Sequence, residues 1–183
     1  MVKTFVLIIV VLVCNSCVPF FKCFDDPLTI KKQSYIGSKL KLDGYYYTMY
    51  NDKIQNVSFL YRDGVLYNCG GYIENHSKVA EYIEREFLRS NGYKEISAGW
   101  GVFQIKEDSI WIESWFDLDG PEKAYMQSGI ILNDTTFVIT EIYKNKRGKK
   151  KGLEDRNKVY HFREFYPKPD STNSFVKSSR YRR

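Results

Sequence analysis

Histidine is almost missing from this chain: His76 and His161 are the only 2. No His-Glu-x-x-His pattern surrounds either, so a zinc-protease centre lacks its donors. No Gly-x-Ser-x-Gly elbow is present, so a hydrolase triad lacks its serine frame. Gly70-Gly71 and Gly99-Trp100-Gly101 neither open a helix nor precede the lysine that a phosphate-binding loop requires. Asp117, Asp119 and Glu122 surround Gly120 without the full oxygen pattern of a calcium loop, and read as a turn. Glu113 and Asp117 are two carboxylates with nothing to set them at glycosidase spacing. Alanine and leucine are scarce, which turns the composition away from helices. No apolar run approaches the roughly 20 residues of a membrane-spanning helix. These absences leave no catalytic residue, no cofactor and no metal to expect.

The N-terminus carries the most specific signal that is present. Lys3 precedes an unbroken apolar run from Phe5 to Val13, and Cys14-Asn15-Ser16-Cys17 follows. A basic start, a short apolar stretch and small residues describe a secretory signal. Cys14-Asn15-Ser16-Cys17 resembles the lipobox of bacterial lipoproteins, with Cys14 where that family usually has leucine. The resemblance implies cleavage before Cys17 and acylation of its thiol and amine. A plain cleaved signal is the alternative. Val18 after the cysteine implies, by the same resemblance, delivery to the outer membrane. The expected organisation is a lipoprotein signal over 1–16, a tether over 17–40, a folded domain over 41–166 and a disordered basic tail over 167–183. The membrane, reached through the N-terminal lipid, is the expected partner.

Tyrosine and phenylalanine are abundant, at 15 and 12 residues. They fall in runs that predict strands. The runs are Leu42–Tyr50, Val57–Tyr61, Val65–Tyr67, Gly99–Ile105, Ser109–Phe116, Lys123–Leu132, Thr135–Tyr143 and Lys158–Tyr166. Asp63-Gly64 predicts a tight hairpin turn. Val79, Ile83, Phe87 and Leu88 recur at helical spacing, predicting a helix over about 78–89, capped by Ser77 and ended by Asn91-Gly92. In Ser109–Phe116 both faces carry large apolar residues, Ile110 and Ile112 on one, Trp111 and Trp115 on the other. A sheet solvated on one face does not tolerate that. The expected fold is therefore all-β: an antiparallel up-and-down barrel of about eight strands with one inserted α-helix.

Charge is uneven. Lys144 to Lys151 holds most of the net +6 and reads as a solvated hairpin loop. It carries no interleaved aromatics for stacking bases, so nucleic acid is not an expected partner. Cys23 and Cys69 remain beside Cys17, and the exported compartment permits a bridge between them.

Gly44-Tyr45-Tyr46 resembles the Gly-x-Trp opening of lipocalins, with Gly44 and Tyr46 as the barrel-base motif. Leu42–Tyr47, Tyr61–Val65, Trp100–Ile105 and Gly129–Phe137 together look like small Gram-negative lipoproteins with lipocalin-like domains. The resemblance implies an eight-stranded barrel with a small apolar ligand. A helix between the fourth and fifth strands departs from it. Tyr45, Tyr47, Trp100, Phe103, Trp111 and Trp115 are the candidate ligand-binding residues, because amphipathic aromatics suit apolar ligands and sugar rings. The sequence thus predicts a membrane-anchored envelope lipoprotein, non-catalytic, binding a small hydrophobic or glycan ligand. A structural or protein-interaction lipoprotein with a filled barrel is the second reading.

Overall fold

The computed structural model describes residues 27–88, 96–116, 123–146 and 149–177. Antiparallel strands close into an eight-stranded barrel in chain order. They are β1 (Gly44–Tyr50), β2 (Lys53–Leu60), β3 (Val65–Ile73), β4 (Trp100–Lys106), β5 (Ser109–Phe116), β6 (Lys123–Asn133), β7 (Thr136–Lys146) and β8 (Lys149–Glu164). Pairing of β1 with β8 completes the ring, which gives every strand a partner on both sides. The all-β barrel expected from the strand pattern is the fold.

Its details correct several expectations. A 3-10 turn (His76–Lys78) leads into α1 (Val79–Leu88), and both lie between β3 and β4, not between the fourth and fifth strands. The cap is Asn75, not Ser77: the Asn75 side chain accepts from Ser77 N at 3.1 Å and Ser77 Oγ at 2.6 Å. Asn91-Gly92 lies outside the described residues. Lys144 to Lys151 is mostly strand rather than loop, with Lys144 opposite Lys151 and Lys146 opposite Lys149. Pairing continues there because a strand can carry lysines on solvated faces without losing its backbone bonds.

Two glycines are fixed by geometry. Gly64 turns the β2–β3 hairpin at φ +83, in the left-handed region that glycine enters freely. A side chain at Gly44 would place its Cβ 1.9 Å from the Arg163 carbonyl oxygen, so only glycine lets β1 meet β8 there.

The wall of the barrel has two cores. Inside lie Tyr46, Leu60, Leu66, Phe103, Ile110, Ile112, Phe137 and Tyr160. A second core lies outside, against β1 to β5. It holds Tyr45, Val57, Phe59, Tyr67, Cys69, Trp100, Val102 and Trp115, covered by Leu28, by Val79 and Ile83 of α1, and by Val176. Apolar residues on adjacent positions of one strand therefore enter different cores.

The segment expected to be a loose tether is packed from residue 27 onward. Glu113 clamps it. Its buried carboxylate accepts from Thr29 N, Ile30 N at 2.8 Å and Thr29 Oγ1 at 2.9 Å. Thr29 Oγ1 also accepts from Asn145 Nδ2 at 2.9 Å. The chain then runs down the wall, where Gln104 donates to Lys31 O and Tyr35 N donates to Arg62 O. We call residues 27–42 the strap.

The tail expected to be disordered is likewise ordered through residue 177. α2 (Ser174–Lys177) ends it, with Asn173 and Val176 buried. Lys168 Nζ donates to Leu42 O at 2.6 Å and Leu60 O at 2.7 Å, over the Tyr61 ring. Burial holds the Lys168 ammonium down at about 8. A lysine with a depressed folded value binds fewer protons when folded, so stability rises as pH climbs from about 8 toward its ordinary 10.5. Urea unfolding at about pH 7.5 and about pH 9.5 should show the wild type gaining about 2 kcal/mol relative to Lys168→Met. Parallel pH profiles for the two proteins would remove Lys168 as the cause.

Candidate ligand-binding site

The barrel has a plugged end and an open end. At the plugged end the Tyr46 hydroxyl donates to Lys41 O at 3.0 Å and Asp134 O at 3.2 Å. Its ring lies 5.0 Å from Phe137 and 5.4 Å from Phe162. Burial raises the Tyr46 phenol well above its usual value, so it stays a neutral donor. Leu40, Leu42 and Tyr35 of the strap pack against the same inner core. Phe137 and Tyr160 stack at 4.7 Å, filling the space above. Gly44 and Tyr46, the predicted barrel-base pair, thus both sit at this end.

Toward the other end the interior changes character. A cavity of about 200 Å³ opens there. Phe116, Ile139, Ile142 and Tyr160 supply its apolar wall; Asn68, Gln127, Arg156 and Lys158 supply polar groups. A second hollow of about 140 Å³ shares Phe116, Ile142 and Arg156 with it. Together they just reach the lower end of the roughly 300–1,000 Å³ usual for small-ligand sites. Asn68 Oδ1 accepts from Ser58 Oγ at 3.2 Å, which fixes one polar face. Ser114 opposes Gly101 in the ladder, is fully buried, and its Oγ has no hydrogen-bond partner among the described residues. We call this end the cup.

A larger hollow of about 470 Å³ lies between strap residues 33–39 and the β4–β5 hairpin. Ile36, which lines it, is 95% exposed. The cup is the better site because buried strand residues on several sides build it.

The six predicted ligand aromatics do not share a pocket. Tyr45, Trp100 and Trp115 are buried in the outer core, with Tyr47 packed against it. Trp100 lies 4.6 Å from Tyr67. Trp111 stands on the outer face of the wall, opposite Gln104. Phe103 alone faces the interior, in the filled part, beside Tyr35 at 6.0 Å. The outer core accounts for the aromatic richness, and none of the six lines the cup.

Sequence reasoning missed Lys158. The signal was available: Lys158, Tyr160 and Phe162 alternate on β8, so a charge shares the face of two core aromatics.

The residues considered for catalysis are otherwise engaged. Glu113 binds the strap, and Asp117 lies outside the described residues. His76 Nδ1 meets the Tyr45 hydroxyl at 3.0 Å. Burial raises Tyr45 to about 12, and burial with Arg163 nearby lowers His76. His161 is exposed on β8. Among the described residues no three His, Cys, Asp or Glu side chains cluster to hold a metal. Cys69 is buried in the outer core, while Cys17 and Cys23 lie outside the described residues.

Comparison of this chain with protein families, curated proteins and solved structures finds no match in any of the three. Function must therefore be argued from the cup.

Proposed function

We propose that this chain is a non-catalytic binding module, with a lipocalin-like barrel that holds a small ligand in its open end. The observation that carries this is the cup: a cavity inside a closed barrel, lined by both apolar and polar side chains. A plugged base and an open mouth suit reversible entry of a small hydrophobic molecule or a single sugar. The Lys3 to Cys17 signal supports export and a lipid anchor at Cys17, placing the module in the cell envelope, at the outer membrane.

Titration of the isotope-labelled domain with a panel of small apolar compounds and sugars tests the binding. Shifts should cluster at Asn68, Gln127, Ile139 and Lys158. An unmoved spectrum across the panel would sink the reading. Tryptophan emission is a poor reporter, because Trp100 and Trp115 face the outer core.

Cys17→Ser tests the anchor. Expected results are loss of incorporated palmitate and transfer of the protein from membrane to soluble fractions. Unchanged partitioning would argue for a plain signal.

The filled lower half of the barrel favours the second reading in one respect. Side chains already occupy most of the interior, so an envelope protein bound on the outer surface is the alternative partner.

A further inference from the structure

Charge in the larger hollow of the cup is one-sided. Lys158 and Arg156 line it, and no carboxylate does so among the described residues, whereas Glu154 lines the smaller hollow. Arg156 is paired with Glu154 at the smaller hollow, with both side chains largely exposed. Lys158 is half-buried, and among the described residues neither an ion pair nor a hydrogen bond to an acid holds it. Burial and the Arg156 charge both lower its proton affinity. A cation in that setting gains from an incoming anion, because the anion replaces lost water and offsets two positive charges. Gln127 is only 8% exposed, lines the same cavity and pairs in the ladder with Ile112, so its amide can add a neutral hydrogen bond. Apolar side chains stand beside these two: Ile139 pairs with Lys158 in the ladder and Ile142 with Gln127, and Phe116 adds to the same lining.

We propose that the cup selects a small amphipathic monoanion, with its carboxylate on Lys158 and its short apolar portion against Phe116, Ile139 and Ile142. This rests on the reading of the cup as a ligand site, and narrows its ligand to one charge type. A neutral apolar ligand has no use for an unpaired ammonium and a sugar hydroxyl gives it only a neutral acceptor, whereas a carboxylate supplies both an acceptor and the opposite charge. Gln127 and Asn68 then orient the headgroup, and Arg156 at the rim attracts the anion during approach.

Hexanoate, hexanol and hexylamine share a chain and differ in charge, so they are the probes. Chemical-shift titrations of the wild type should show hexanoate binding more tightly than hexanol and hexylamine showing no shift. Lys158→Met keeps much of the side-chain volume and removes the charge. It should weaken hexanoate roughly tenfold to a hundredfold, leaving hexanol unchanged. Lys158→Arg should restore preference for hexanoate. If Lys158→Met does not fold, the Lys158 Cε resonance of the wild type decides: hexanoate should shift it and hexanol should not. Equal binding of hexanoate and hexanol, or hexanoate binding untouched by Lys158→Met, overturns the inference while leaving the cup a ligand site. Silence from both hexanoate and hexanol strikes the cup itself.

Discussion

Glu113→Ala is expected to destabilise the barrel by about 3 kcal/mol, and to free the strap before the strands separate. Three donors of the strap converge on that one carboxylate. Removing it leaves two backbone N–H groups part-buried without an acceptor, at roughly 1–3 kcal/mol each. It also uncovers the outer core at Leu28, adding lost apolar burial. Glu113→Gln keeps an acceptor oxygen and should cost only about 1 kcal/mol. Urea unfolding gives the energies, and limited proteolysis tests the order: cuts within 27–42 should appear in the alanine variant under folding conditions. If both variants match the wild type in stability and protease resistance, the clamp is not what holds the strap.

Trp100→Ala should cost more, about 4 kcal/mol, as truncation of a fully buried tryptophan commonly does. Trp100 is 0% exposed and packs at a tilt against Tyr67 between the wall and its outer cover. The informative comparison is Trp100→Phe, which keeps a ring there at lower cost. It should leave ligand titrations at the cup unchanged, because Trp100 lies on the other side of the wall. Loss of binding in a stable Trp100→Phe protein would restore this residue to the ligand site.

Why the aromatics misled is a matter of periodicity. Alternation on a strand tells which residues share a face, not what covers the face. Tyr45 and Tyr46 are neighbours on β1, both buried, and belong to different cores. Two apolar faces were read correctly as requiring closure, but closure covers only one. The other is covered by the strap and tail, whose own residues have no period. Lys31 and Lys168 look like free solvated residues until distant partners are known, Gln104 for the Lys31 carbonyl and the Leu42 and Leu60 carbonyls for Lys168. Local signals fared better. Asp63-Gly64 marked its hairpin because positive φ is a local demand. The helix stripe gave α1 because Val79 and Ile83 repeat over one turn. Its cap was misplaced by two residues, since Asn75 and Ser77 are both good caps by type. The cup was legible only through Lys158, whose place on an inward face needs strand register as well as alternation.

The contact between Thr29 and Asn145 fixes where the N-terminal leash departs: at the mouth side of the wall, beside the long β7–β8 arm. From Cys17 to Thr29 the leash reaches at most roughly 40 Å. An acyl anchor at Cys17 would therefore hang the molecule mouth-first toward its bilayer, with Lys149 and Lys151 of the arm exposed to the headgroups. A molecule leaving that bilayer would meet the opening before the stopper.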